Sequence, residues 1–126
     1  MTFIKEILFV GIGGFLGSAA RYGVYLAVAR CTGSSFPFGT LAVNIIGSFI
    51  IGLVVVLLQD AHYLWRLFLM VGIIGGFTTF SAFSHETLVL FNNNQVFYAL
   101  LNIALNVIIC LACVFAGFKL GKMFLA

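Results

Sequence analysis

The sequence predicts an all-α integral membrane protein with four transmembrane helices. Hydrophobic residues make up 63% of the 126 positions and charged residues only 7%, whereas soluble domains have roughly 45–50% and about 25%. The apolar residues fall into four long runs, and each run can supply the ~20 residues that cross a bilayer as a helix. The connections leave no room for a soluble domain, so we expect one transmembrane domain over residues 1–126.

The predicted spans and their connections follow one another in a simple order. The spans are residues 7–29, 39–58, 64–91 and 96–121. The connections are residues 30–38, 59–63 and 92–95. Because these connections are short, neighbouring helices should run antiparallel. The lone proline, Pro37, lies in the first connection, where its missing N–H interrupts no helix.

The third span is interrupted by glycines and hydroxyl residues. Residues 75–86 read Gly-Gly-Phe-Thr-Thr-Phe-Ser-Ala-Phe-Ser-His-Glu within an otherwise apolar segment. A bilayer offers no water to free backbone N–H and C=O groups, so a helix broken at that depth needs other partners for them. The pattern predicts a helix broken in mid-membrane beside a site for an ion or a substrate.

Small residues in the first span predict close helix packing. Gly13 and Gly17 form a G-x-x-x-G pair, and Gly14 with Ser18 forms a second small-xxx-small pair, which lets another helix backbone approach closely. The approaching helix can belong to the same subunit or to a second copy, and the sequence leaves both open. Since four helices enclose little space alone, we expect assembly with another copy.

Two polar stripes interrupt the apolar spans, one in the second span and one in the fourth. The stripes are Thr40, Asn44 and Ser48, and Asn102, Asn106 and Cys110. Each has the i, i+4, i+8 spacing of one helix face. Polar groups inside a membrane are costly unless they face protein or water. The stripes therefore line a narrow polar pathway. Alternatively, their side chains form hydrogen bonds between helices, each worth under about 2 kcal/mol.

Two phenylalanines directly after the break share a helix face. Phe80 and Phe83 stand three residues apart among hydroxyl residues. Phenylalanine in a membrane helix is ordinarily apolar filling, and the chain has 15. An aromatic ring has a negative face and a positive edge, so ring edges that point into a pathway would favour a small anion. We expect the neighbouring Thr79 and Ser81 to stabilise the break.

Two charged residues lie inside the predicted spans. Arg21 lies deep in the first span and needs a partner or a water-filled vestibule. It either attracts anions at a pore entrance or tethers helices by hydrogen bonding. Glu86 follows Phe83 by three residues. As a carboxylate it would repel an anion, so we expect it to be hydrogen-bonded near the mouth, in a vestibule or gating role.

Three motifs of the chain resemble those of the Fluc/CrcB family of fluoride channels. They are residues 75–84 (GGFTTFSAFS), 39–44 (GTLAVN) and 13–22 (GGFLGSAARY). They occur in the order found in the family, and the resemblance extends over essentially the whole chain. The motif of the third span is the most specific of the three.

The resemblance implies an activity and an assembly. It implies a passive, fluoride-selective channel of the bacterial inner membrane that exports F⁻ and lowers cytoplasmic fluoride. It also implies an antiparallel, dual-topology homodimer of two oppositely inserted copies, with two pores at their interface. A structural Na⁺ would lie on the dimer axis, bound by the backbone carbonyls of Gly75 and Thr78 in each subunit.

The same resemblance assigns the anion pathway to side chains of three spans. These residues are Asn44, Phe80 and Phe83, with Asn102, Asn106 and Cys110 in the place of a hydroxyl track on the fourth helix. Thr40 joins the predicted pathway through its place in the polar stripe of the second span. The chain departs from the family here, because amides and a thiol replace hydroxyl groups, and Ala82 replaces the usual small hydroxyl residue. An amide N–H can still donate to F⁻, whereas a thiol is a weak donor.

Rival functions predict features that the sequence lacks. A small four-helix dual-topology multidrug exporter needs an acid deep in the first span, where residues 7–29 contain only Arg21 as a charged residue inside the apolar run. A non-transporting membrane scaffold subunit explains the glycines and aromatics but gives the break and the polar stripes no purpose. An enzyme is not expected, since adjacent His85 and Glu86 would point apart on a helix.

The charge distribution leaves the identity of the partner open. The net charge of +3 comes from scattered residues, so it indicates membrane topology and not a nucleic-acid surface. With both termini on one side, that side collects Lys5, Arg66, Lys119 and Lys122, against Arg30 on the other. The positive-inside rule then favours one orientation. The partner is a second copy in inverted orientation or an oppositely oriented homologous subunit.

Overall fold

A computed structural model describes residues 2–125, and these residues are helical apart from short connections. The helices are α1 (Thr2–Thr32), α2 (Phe38–Leu57), α3 (residues 63–77), α4 (Phe80–Asn92) and α5 (Val96–Leu125). Helices α3 and α4 together form one interrupted crossing, so the chain has four spans that are long and apolar enough for a membrane. The predicted all-α, four-span class is confirmed.

The first and last spans are longer than predicted. Helix α1 begins at Thr2 and ends at Thr32, and α5 continues to Leu125. The prediction followed the apolar runs, which match the hydrocarbon thickness. A helix satisfies its backbone hydrogen bonds equally well beyond that layer, so α1 and α5 extend past it.

Local signals in the sequence end and begin the helices. Gly33 follows α1 with a φ of 51°, the left-handed conformation in which glycine commonly terminates a helix. Pro37 directly precedes α2. The Nδ1 atom of His62 accepts a hydrogen bond of 3.3 Å from the Leu64 N–H and so caps α3.

Two segments widen from α-helix into π-helix. They are Leu67–Ile74 in α3 and Leu105–Ile109 in α5. A π segment inside a membrane helix often marks a functional site. The second one lies between Asn102 and Cys110, so the polar stripe of the fourth span lacks the uniform α-helical spacing that the sequence suggested.

Glycines of the first span pack within one subunit. A Cβ atom on Gly13 would stand 2.5 Å from the Phe68 carbonyl oxygen and 2.9 Å from Gly72 Cα. Gly17 faces the backbone of Ile73 equally closely, and Ser18 Oγ donates to the Gly76 carbonyl at 3.4 Å. Of the two alternatives, the structure shows the intrasubunit contact between α1 and α3.

A second glycine seam joins α2 to α5. A Cβ atom on Gly52 would stand 2.9 Å from the Val114 carbonyl carbon, and one on Gly117 would stand 2.9 Å from the Leu53 nitrogen. The two backbones therefore touch directly. Helix α2 also contributes the fully buried Val43, so it forms the centre of the small core.

Large apolar side chains cover the outside of the bundle. Phe3, Phe15 and Phe97 are 70–73% exposed. In water such a surface would be unfavourable, but in a bilayer these side chains meet lipid tails. The distribution agrees with four membrane spans.

Candidate functional site

The crossing formed by α3 and α4 is interrupted by two extended residues. Thr78 has a ψ of 162°, and Thr79 has φ and ψ of −155° and 122°. This geometry fits the predicted break. Thr79 Oγ1 accepts a hydrogen bond of 3.2 Å from the Ala82 N–H and lies 3.2 Å from Ser81 Oγ. Thr79 is thus the N-cap of α4, a position in which threonine stabilises a helix.

Asn44 of α2 binds both backbone groups of Thr79. Its Oδ1 accepts from the Thr79 N–H at 2.9 Å, and its Nδ2 donates to the Thr79 carbonyl at 3.1 Å. The same Nδ2 donates to Asn106 Oδ1 at 2.9 Å. The amide therefore replaces the hydrogen bonds that the interrupted helix lacks.

A buried network of side-chain amides connects Asn44 to α5. Asn106 Nδ2 donates to the backbone carbonyl and to Oδ1 of Asn102, at 3.1 and 2.9 Å. Asn102 has 0% exposure and donates to Thr87 Oγ1 at 3.0 Å. Both side-chain amide hydrogens of Asn44, and both of Asn106, already form hydrogen bonds. To donate to a passing anion, either residue would have to give up one of them. The donor role of Asn44 stays a prediction.

A groove of about 280 Å³ opens beside the break. Its lining includes Ser48 of the α2 stripe and eight predicted site residues: Asn44, Gly75, Thr78, Thr79, Phe80, Phe83, Asn106 and Cys110. The rings of Phe80 and Phe83 lie 5.2 Å apart at 61°. Phe83 is 7% exposed and Phe80 is 77% exposed, so one ring forms the groove wall and the other stands at its open side.

The remaining predicted pathway residues lie elsewhere. Asn102 is enclosed by the amide network, and Thr40, which is 1% exposed, lies beside Glu86 at a second cavity of about 170 Å³. Thr40 Oγ1 donates to Glu86 Oε1 at 2.6 Å. Glu86 is thus hydrogen-bonded, as expected, but it does not line the groove with Phe83. The polar stripe of α2 is divided between two cavities.

Sequence reasoning missed Tyr25, which also lines the second cavity. Its hydroxyl lies 3.0 Å from Thr40 Oγ1. A signal was present, because Tyr25 follows Arg21 by four residues and therefore lies on the same face of α1. The charged Arg21 thus marked the face of α1 that also carries the Tyr25 hydroxyl.

Arg21 contacts the break itself. Its Nη1 donates to the Thr78 carbonyl at 3.3 Å across a separation of 57 residues. A charged donor is the stronger kind of hydrogen-bond partner, and the contact joins α1 to the extended segment. This geometry is that of the helix tether, one of the two roles that the sequence left open for Arg21.

One carbonyl at the break suits a hard cation. In an unbroken helix the Thr79 N–H would donate to the Gly75 carbonyl, but here it donates to Asn44. The Gly75 carbonyl is released at an exposed position, and unwound backbone carbonyls coordinate Na⁺ in broken membrane helices. Gly75 therefore fits the ligand role that the resemblance implies, whereas Thr78 shares its carbonyl with Arg21.

These features define a small multi-pass membrane protein built around an interrupted helix and a polar-walled groove. A family model described as CrcB-like protein, Camphor Resistance (CrcB), matches residues 8–118. The chain belongs to this family. Since the matched residues include all four spans, the assignment covers the groove and the break together.

Curated relatives agree over nearly the full length. The chain is 50% identical to a protein of Elusimicrobium minutum over 99% of its own length and 100% of the relative. It is 44% identical to a protein of Agrobacterium fabrum, with 93% and 96% covered. Both relatives bear the name fluoride-specific ion channel FluC. With four spans and bacterial relatives, the chain is a multi-pass protein of the bacterial inner membrane.

Proposed function

We propose that this chain is a fluoride-selective ion channel that lets F⁻ leave the cell passively and so lowers cytoplasmic fluoride. The name of its relatives supports this function. The observation that carries it is the groove, where Phe80 and Phe83 stand beside Asn106 and Cys110 at a helix break.

The lining of the groove suits a small anion. Polar side chains and aromatic rings line it together, and the positive edge of an aromatic ring attracts negative charge. Fluoride is small and strongly hydrated, so a pathway must replace its water by close donors. A narrow, mostly apolar groove with few polar groups makes this replacement favourable only for a small ion.

The assembly we propose is a pair of oppositely oriented subunits with one pore on each side of the contact. Phe80 is 77% exposed and the groove is open along one side, so a second chain would supply the missing wall. The partner is an inverted copy, or an oppositely oriented homologous subunit. Cross-linking of the purified product of one gene should yield dimers; monomers alone would contradict the homodimer.

A structural Na⁺ between the subunits is part of the proposal. The exposed Gly75 carbonyl supports it, with the Thr78 carbonyl as the second ligand. A bound ion stabilises the folded state by mass action. Exchanging Na⁺ for N-methylglucamine should therefore lower the melting temperature of the purified protein by about 5 °C. Equal melting temperatures in Na⁺, choline and N-methylglucamine would contradict the site.

Efflux from liposomes tests the proposed function directly. Vesicles that contain the purified protein are loaded with fluoride or chloride, a potassium ionophore is added, and the released ion is measured with selective electrodes. We expect rapid release of fluoride and retention of chloride. Retention of both ions by correctly inserted dimers would contradict the channel function.

Replacing Phe80 with leucine should separate the aromatic edge from simple apolar filling. Leucine keeps an apolar side chain but has no ring edge, so fluoride efflux should fall about tenfold, the loss expected for an aromatic contact of ~1.5 kcal/mol. The melting temperature should change little because leucine keeps most of the apolar contact that Phe80 would make with a second subunit. The matched control is Phe97→Leu, at 73% exposure. Normal efflux in both Phe80→Leu and Phe83→Leu would refute the aromatic assignment.

A further inference from the structure

Tyr25, Thr40 and Glu86 form a hydrogen-bonded chain across three helices. Tyr25 Oη lies 3.0 Å from Thr40 Oγ1, and Thr40 Oγ1 donates to Glu86 Oε1 at 2.6 Å. A threonine hydroxyl has a single proton. Since that proton is on the bond to the carboxylate, Tyr25 must be the donor in the first bond. The direction of donation is therefore from α1 through α2 to α4.

Thr40 differs from several other hydroxyl residues of the chain in the partner of its hydroxyl proton. Four of them donate to the backbone carbonyl four residues earlier: Thr32, Thr78, Ser84 and Thr87. This local bond is the ordinary choice of a serine or threonine in a helix. Thr40 is the third residue of α2, so the residue four positions earlier, Phe36, lies outside the helix. Thr40 instead directs its proton to a carboxylate 46 residues away.

Glu86 depends on this single donor. Its Oε2 atom is buried and has no hydrogen-bond partner among residues 2–125. A buried carboxylate is costly unless donors surround it, and Thr40 is the one that the described part of the chain provides. Any group that fixes the Thr40 proton therefore also fixes the position of the carboxylate.

We infer that Tyr25 is a positioning residue, whose hydroxyl occupies a lone pair of Thr40 and directs the Thr40 proton onto Glu86. The three side chains line one cavity of about 170 Å³, which has room for an ion or a water molecule beside the carboxylate. A carboxylate held by Thr40 stays in place, whereas a released one is free to turn toward an approaching anion and repel it. The transport consequence rests on the proposed fluoride function, but the hydrogen-bond chain does not.

Carboxyl NMR tests the chain without fluoride. The protein has only two glutamates, Glu6 and Glu86, so ¹³C labelling of glutamate side-chain carboxyls gives two signals, which Glu6→Gln assigns. Thr40→Val should shift the Glu86 signal, and Tyr25→Phe should shift it in the same direction. Tyr22→Phe, an exposed position on the same helix, should leave it unchanged. A Glu86 signal that responds to Thr40→Val but not to Tyr25→Phe would overturn the inference.

Fluoride efflux from liposomes then tests the consequence. Tyr25→Phe should slow efflux about fivefold, the effect of one ordinary hydrogen bond, while Tyr22→Phe should not slow it. In a Thr40→Val background, Tyr25→Phe should not slow efflux further, because the hydrogen-bond chain is already broken. Equal slowing in both backgrounds would show a merely structural role and refute the inference. Absence of efflux in the unmodified protein would instead refute the proposed function, with the NMR result still deciding the hydrogen-bond chain.

Discussion

Asn44→Ala is expected to reduce fluoride efflux at least tenfold and to destabilise the fold. The substitution removes three hydrogen bonds, two to the backbone of Thr79 and one to Asn106. Each such bond inside a membrane protein contributes roughly 0.6–2 kcal/mol, and a buried group that is left without a partner adds its own cost. We therefore expect the free energy of unfolding to fall by about 3 kcal/mol.

The measurement combines thermal unfolding in detergent with efflux from liposomes. Asn92→Ala is the matched control, since Asn92 is exposed at the end of α4 and makes none of the contacts at the break. We expect the control to match the unmodified protein in both assays. If Asn44→Ala had the same stability and the same efflux as the control, the extended segment would not depend on the hydrogen bonds of Asn44. The proposed stabilisation of the break would then be wrong.

The break itself was predictable from the sequence, but its partners were not. Glycines and hydroxyl residues between Gly75 and Ser84 indicate an interrupted helix because they directly follow the apolar run of residues 67–74. Which group replaces the lost helical hydrogen bonds depends on the rotation of α2 about its axis. Asn44 was therefore recognised as a pathway residue, while its contact with Thr79 emerged only from the packed structure.

The polar stripes show a similar limit. Regular spacing placed Thr40 and Asn44 on one face of α2, and they do lie on adjacent turns. However, Thr40 contacts Glu86 whereas Asn44 contacts Thr79, so the two residues line different cavities. In α5 the π segment Leu105–Ile109 changes the spacing further. Periodicity within one helix predicts a face, but neighbouring helices determine what that face contacts.

The break is stabilised within a single chain. Arg21 contacts the Thr78 carbonyl, Asn44 binds both backbone groups of Thr79, and the Thr79 side chain caps α4. Helices α1 and α2, together with the Thr79 side chain, thus supply the partners that a bilayer cannot. It follows that the proposed Na⁺ is not needed to repair the break in one subunit. Its contribution would lie in joining two subunits through the exposed Gly75 carbonyl.

Gly17→Ala is expected to disrupt both the packing of α1 on α3 and the geometry of the break. A Cβ atom at Gly17 would overlap the Ile73 carbonyl oxygen and stand 2.9 Å from the Phe77 nitrogen. Both are backbone atoms, so no side-chain rotation relieves the contact, and overpacking of this kind costs about 3 kcal/mol or more. Unfolding in detergent should show this loss.

Gly23→Ala on the same helix is the matched control, because a Cβ atom there would have no atom within 4 Å. It should not lower the free energy of unfolding, because alanine is favoured over glycine inside a helix by about 0.5–1 kcal/mol. In variants that still fold, Gly17→Ala should also slow fluoride efflux, since Phe77 is the last residue of α3 before the break and its displacement would move the Thr78 carbonyl away from Arg21. A folded Gly17→Ala protein with normal efflux would show that α1 positions nothing at the break and only packs against it.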